Sequence, residues 1–155
     1  CSLAIALEPA RAISAKPSHC PVDDVQKQVA MAVAMAGTEI AVKRHAGKLE
    51  ETFTPEGRLY IQQGKDLADV EWVIGSGGAL ARSPDPETIL KSAVRNPLTL
   101  SLGPVAPKFL VDGEYIMWAM GLLAGSEPDA ALRIMKTCVI SAADARIGGD
   151  DGPSE

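Results

Sequence analysis

Residues 75–78, Gly-Ser-Gly-Gly, stand between the β-branched pair Val73-Ile74 and a helix entry at Asp85-Pro86. Glycines lack a Cβ, so their N–H groups can approach a ligand closely and positive φ is open to them. In open α/β sheets, ligands sit at the carboxyl ends of the strands. Three chemistries compete for such a turn. A Walker-type phosphate cradle closes on a Lys-Ser/Thr pair, and "GSGGALARS" (75–83) has no lysine. A dinucleotide turn needs Gly-x-Gly-x-x-Gly and an acidic residue closing the next strand. Here Leu80 stands where the third glycine belongs, and no such acidic residue is read. The third chemistry is a turn lying against a flat ring such as a nucleoside, with Arg82 placed to stack on it or reach a phosphate. The alternative is a tight turn that only lets a helix and a strand pack, and spacing alone leaves both open.

Other chemistry-bearing residues are sparser. Glu39, Lys43 and Arg44 share one side of a long helical pattern, which by itself reads as a solvated face with a Glu39–Lys43 pair at i, i+4. His45 falls in the last turn of that pattern, where the helix dipole favours a cation. His19 and Cys20 are adjacent with no second pair, so no metal-ligand spacing forms. Glu50 and Glu51 point to opposite faces of a strand and cannot work as an acid–base couple. Trp72 and Trp118 read as core or interface aromatics. No catalytic constellation and no metal site is read.

The elements that must position these groups follow from patterning. Leu3–Leu7 is a short strand candidate, followed by a loop with Pro17, Ser18 and Pro21. Asp23 and Gln26 form a capping box for a helix carrying Val25, Val29, Val33, Ala36 and Ile40, which should end near His45 and stop at Gly47. Its small residues and Gly37 predict close neighbours, with Met31 and Met35 in the core. Leu49, Glu51 and Phe53 alternate before "TPEG" (54–57), and "RLYIQQ" (58–63) alternates again, which reads as a hairpin. "VEWVI" (70–74) is the strand leading into the glycines, "PETILKSAV" (86–94) a helix and "KFLV" (108–111) a buried strand. Asp112 is placed to cap the helix "GEYIMWAMGLLA" (113–124). Ser126 and Asp129 form a second capping box, for "PDAALRIMKTC" (128–138). This order of elements is α/β with a layered sheet.

Composition sets the outer bounds. The 155 residues carry 46% hydrophobic and 23% charged side chains and a net charge of −5, with no basic cluster for nucleic acid. No apolar run spans a bilayer. Three scattered cysteines argue for a reducing, cytoplasmic setting. The chain opens on Cys1, which is read as a cut from a longer protein; a lipid-bearing Cys or an N-terminal nucleophile finds no supporting partner nearby. Residues 1–21 are expected as a lead-in, 22–140 as the domain and 141–155 as a disordered acidic tail.

The strand, the glycine pair, a small residue and Arg82-Ser83-Pro84 resemble the adenosine motif of the actin, sugar kinase and heat-shock chaperone ATPase superfamily. "FLVDGEYIMWAMGLLA" (109–124) is similar to the closing strand and Asp-led helix of those proteins, with Gly121 near the small position. More specifically, "KRHAGKLE" (43–50), "LYIQQGKDL" (59–67), "VIGSGGALAR" (73–82) and "FLVDGEYIMWAMGLL" (109–123) resemble the MutL accessory proteins of glutamate mutase and ornithine aminomutase, from about residue 22 to 138. The resemblance implies the C-terminal lobe of an actin-like ATPase, a ribonuclease H-like layered sheet with flanking helices and a β-hairpin. It implies an ATP-driven reactivator that releases damaged cofactor from an adenosylcobalamin-dependent mutase, the cobalamin belonging to the mutase. ATP or ADP with Mg²⁺ would be bound by the full-length protein. By the resemblance, Gly75, Ser76, Gly77, Gly78 and Ala79 would line the nucleoside with Arg82 near it, and the helix carrying Glu39, Lys43 and Arg44 is similar to one that touches adenine from the other lobe.

Two departures from the pattern stand out. The chaperones carry Ser or Thr after the glycine pair, where Ala79 and Leu80 stand here, and Arg82 lies one position late. No Asp-x-Gly-x-Thr phosphate loop occurs, since Asp112-Gly113 runs into Glu114. The chain therefore reads as the C-terminal third of the reactivator, holding half a nucleotide site and not hydrolysing ATP alone.

Overall fold

The computed structural model describes residues 3–16 and 21–147. Residues 1–2 with Cys1, residues 17–20 with His19 and Cys20, and residues 148–155 lie outside the described residues. The chain is mixed α/β, with two small sheets and helices around them.

Helix α1, Leu3–Ala15, occupies the stretch expected as a strand. The alternation of Leu3, Ile5 and Leu7 mimics a strand, but the intervening alanines are the strongest helix formers. Helix α2, Asp24–His45, starts as its capping box predicts: Asp23 Oδ1 accepts from the Gln26 N–H at 2.7 Å, and Gln26 Oε1 accepts from the Val22 N–H at 3.1 Å. Its expected burial is not seen among the described residues. Only Val29 is buried, Val33 and Ile40 are about half exposed, and nothing lies near Gly37. Met31 and Met35 are half-buried.

The hairpin forms as read, with β1 (Lys48–Thr54) antiparallel to β2 (Gly57–Gln63) and Thr54 opposite Gly57. Gly47 does not end α2 in a left-handed cap as expected. Ala46 leaves the helix in an extended conformation, and Gly47 instead crosses the chain closely at Gly64: a Cβ on Gly64 (φ +87°) would lie 2.9 Å from Gly47 Cα.

The second sheet has the order β3-β4-β5. Strand β3 (Trp72–Gly75) runs parallel to β4 (Lys108–Asp112), with Gly75 beside Val111. Strand β5 (Val139–Ser141) is antiparallel to β4 and was not anticipated. Its β-branched Val139-Ile140 pair, directly after a helix, was the available signal. A 3-10 turn over Asp144–Ile147 continues past it, within the stretch expected as disordered. Between β3 and β4 lie α3 (Gly78–Ala81) and α4 (Pro86–Lys91), the latter capped by Asp85 through Thr88 N–H at 3.1 Å. Helices α5 (Met117–Leu123) and α6 (Pro128–Cys138) follow β4 and pack on each other. The capping box read at Ser126 does not form: Glu127 holds the N-cap without a side-chain bond, and the Ser126 hydroxyl donates to the Leu123 carbonyl instead. The core is small and centred on α4 and β4, where Ile89, Leu90 and Val111 are almost fully enclosed.

Candidate functional site

Parallel pairing of β3 and β4 brings two chain segments to one sheet end. Gly75 closes β3 and Asp112 closes β4. The glycines that follow β3 have different tasks. A Cβ on Gly75 would meet Leu80 Cδ1 and Leu90 Cδ2 at 2.7 Å, so this residue is glycine for packing. Gly77 has φ +112°, a conformation that side-chain-bearing residues rarely adopt. Gly77 and Gly78 would meet nothing within 4 Å if they carried a Cβ. The backbone at 77–78 therefore borders open space that a flat molecule can enter. Ala79 and Ser76 are exposed, and Arg82 is exposed at the end of α3, with its N–H donating to the Gly78 carbonyl at 3.2 Å.

Asp112 is the residue that sequence reading undervalued. It caps the region of α5 as expected, but that helix begins four residues later than "GEYI" suggests. The side chain is fully buried, and its Oδ2 accepts from the Ser76 hydroxyl at 2.8 Å and the Met117 N–H at 2.8 Å. Its Oδ1 accepts from the Ile116 N–H at 3.1 Å. Burial pushes the carboxyl up. The hydrogen bonds from Met117, Ile116, Ser76 and Tyr115 outweigh that and hold it below the ordinary carboxylate value. An acidic residue thus does close the next strand, contrary to the sequence reading. Its oxygens are engaged by the protein itself, and Leu80 still occupies the third-glycine position. The signal that could have found it is an Asp ending an uncharged strand opposite a Ser-bearing glycine turn.

The second group of candidates lies elsewhere. Glu39, Lys43 and Arg44 line a cleft of about 640 Å³ bounded by the end of α2, the start of β1 and residues 92–103. No residue of the glycine turn lines that cleft, nor does Arg82, although α2 and α3 touch. Lys43 and Arg44 stay exposed beside His45, whose Nε2 lies 3.5 Å from Lys65 Nζ. Glu50 and Glu51 face opposite sides of the hairpin, paired to Lys48 and Arg58 respectively, both at 2.6 Å. Among the described residues no group of three His, Cys, Asp or Glu side chains comes together as a metal site would require. No described helix is long and apolar enough to cross a membrane.

The comparisons with known proteins agree with the motif order. Residues 5–139 match the model of the family described as MutL protein. A curated relative, Protein MutL of Clostridium tetanomorphum, is 44% identical over 110 residues, which is 70% of this chain and 24% of that protein. The chain thus spans about a quarter of the length of the curated relative that it matches. No solved structure matches. The glycine turn, the Asp112 junction and the hairpin therefore belong to a chain that is a member of the MutL protein family.

Proposed function

We propose that this chain is the nucleoside-binding part of an ATP-dependent reactivator serving an adenosylcobalamin-dependent mutase of the glutamate mutase or ornithine aminomutase type. The observation that carries the reading is the open backbone at Gly77 and Gly78, standing at the shared carboxyl end of two parallel strands. Family membership supports it, as does the resemblance of residues 73–84 to the adenosine motif. In this reading the chain forms part of the C-terminal lobe of an actin-like ATPase.

Gly75 to Ala79 form one wall for the nucleoside, and Arg82 lies one turn further on. Gly75 contributes by letting Leu80 and Leu90 close beneath the turn. Glu39, Lys43 and Arg44 line a separate cleft at the end of α2, so this reading leaves them outside the nucleoside wall. Phosphoryl transfer needs phosphate and Mg²⁺ clamps around the transferred group. In this reading those clamps belong to the full-length protein. Motion driven by the nucleotide would release damaged cobalamin from the mutase, where that cofactor resides.

Gly78→Val tests the site because a Cβ added there meets nothing within 4 Å beyond its own chain neighbours and helix backbone. In the intact protein, titration with a fluorescent adenine nucleotide should give at least a tenfold weaker Kd for the variant, with unchanged circular dichroism. Equal affinities would sink the assignment.

A second reading is an interaction domain that docks a mutase without nucleotide. The apolar surface of α5, where Trp118 is 63% and Leu122 74% exposed, favours it. Capture of the mutase that is abolished by Trp118→Ala yet indifferent to ATP and ADP would select this reading.

A further inference from the structure

The junction at Asp112 does more than cap a helix. Between β4 and α5 the chain passes through Tyr115 at φ +54°, the one non-glycine positive φ among the described residues. A side-chain-bearing residue in that region costs on the order of 1–3 kcal/mol and persists only where its surroundings over-determine it. The surroundings are specific. The Tyr115 N–H donates to the Asp112 carbonyl at 3.2 Å, and the Tyr115 carbonyl accepts from Trp118 Nε1 at 3.0 Å. The next two N–H groups, of Ile116 and Met117, end on the Asp112 carboxylate. That same carboxylate takes the hydroxyl of Ser76, from a turn 36 residues earlier in the chain.

We propose that Asp112 is a positioning residue that couples the glycine turn to the start of α5, so that a displacement of Ser76 is felt at Ile116, Met117 and Trp118. The coupling runs through one buried carboxylate whose acceptor capacity is shared between the two segments. When Ser76 leaves, Oδ2 keeps only the Met117 bond and the carboxylate gains freedom to rotate, loosening the strained turn at Tyr115. When α5 shifts, the carboxylate pulls on Ser76 and thereby on the Gly77 conformation. This inference stands on the hydrogen-bond geometry and does not require that the turn bind a nucleoside. If it does bind one, the same linkage carries occupancy of the turn to the exposed face of α5.

The test is amide hydrogen exchange on the parent chain and on Ser76→Ala, Ser76→Thr and Asp112→Asn. Ser76 is exposed and touches neither Ile116 nor Met117 through a bond of its own, so Ser76→Ala should leave the fold intact. Loss of a hydrogen bond to a charged group is expected to raise exchange at Ile116 and Met117 about tenfold. The hairpin amides of β1 and β2 serve as the internal reference and should not change. Ser76→Thr, which keeps the hydroxyl, should restore the parent rates. In a Trp72→Phe background, where Trp118 is the remaining indole, Ser76→Ala should also shift the emission to longer wavelength. Exchange at Ile116 and Met117 that is unchanged in Ser76→Ala, or a rise of equal size throughout the hairpin, would overturn the coupling. Should Asp112→Asn fail to fold, the Ser76 pair alone decides between these outcomes.

Discussion

A buried carboxylate held by hydrogen bonds is a pH-dependent element of stability, and Asp112 gives that dependence a sign. Its folded pKa lies below the unfolded value, which for Asp is about 3.9. The contribution is therefore fully present above the unfolded value and is lost as pH falls through the lowered folded one. Asp112→Asn should flatten the stability profile below about pH 4 while lowering stability at neutral pH; denaturant unfolding at stepped pH measures both. A profile with the parent's slope would show that other carboxylates dominate acid unfolding. The glycines allow a sharper contrast at the same scale. Gly77→Ala forces a Cβ into φ +112° and should cost about 1–3 kcal/mol. Gly78→Ala, in open space with an ordinary φ, should be neutral or stabilising by up to about 1 kcal/mol. Thermal unfolding of the two variants side by side reads the difference, and equal midpoints would contradict the assigned roles.

Local signals in the chain proved readable because they act over a few residues. The Asp23–Gln26 cap, the helix entry at Asp85-Pro86 and the hairpin turn each depend on neighbours within three or four positions. What stayed hidden is what depends on distant neighbours. The apolar stripe of α2 specifies a helix but cannot say that Val33 and Ile40 stay half exposed. Gly47 looks like a helix terminator until Gly64 is seen beside it. Likewise Asp112 reads as a cap, because nothing local announces that Ser76 shares its Oδ2 with the Met117 N–H. The hairpin carries its own prediction. Both its faces are largely exposed, with Phe53 at 75%, and Arg58 lies 5.7 Å from the Phe53 ring centre. A two-stranded sheet is marginal by itself. The β1–β2 amides should therefore exchange faster than those of β3 and β4, and Phe53→Ala should change global stability by less than about 0.5 kcal/mol. A global loss above about 2 kcal/mol would mean that the hairpin is part of the cooperative core.

At the scale of the molecule, the two faces of the β3-β4-β5 sheet are unequal. One carries Gly75 and Val111 against Leu80 and Leu90 and is closed. The other carries Trp72 and Ile74, each nearly half exposed, next to Lys108 and Leu110 in the parallel register. Lys108 Nζ sits 4.9 Å from the Trp72 ring centre, which partly shields the indole. Parallel strands are normally covered on both faces, so this open apolar side is the feature of the chain most prone to associate. The chain by itself should bind a hydrophobic dye and sediment with a concentration-dependent mass. Ile74→Lys places a charge on the open face without touching the closed one, because alternate residues of a strand face opposite sides. It should lower dye binding and self-association while changing unfolding stability by no more than about 0.5 kcal/mol. Val111→Ala, on the closed face and only 1% exposed, should do the reverse, costing about 1–3 kcal/mol and leaving association of the folded chain unchanged. If Ile74→Lys instead unfolds the chain, the face taken as open is packed in solution, and the unequal sheet is not the state that the protein adopts there.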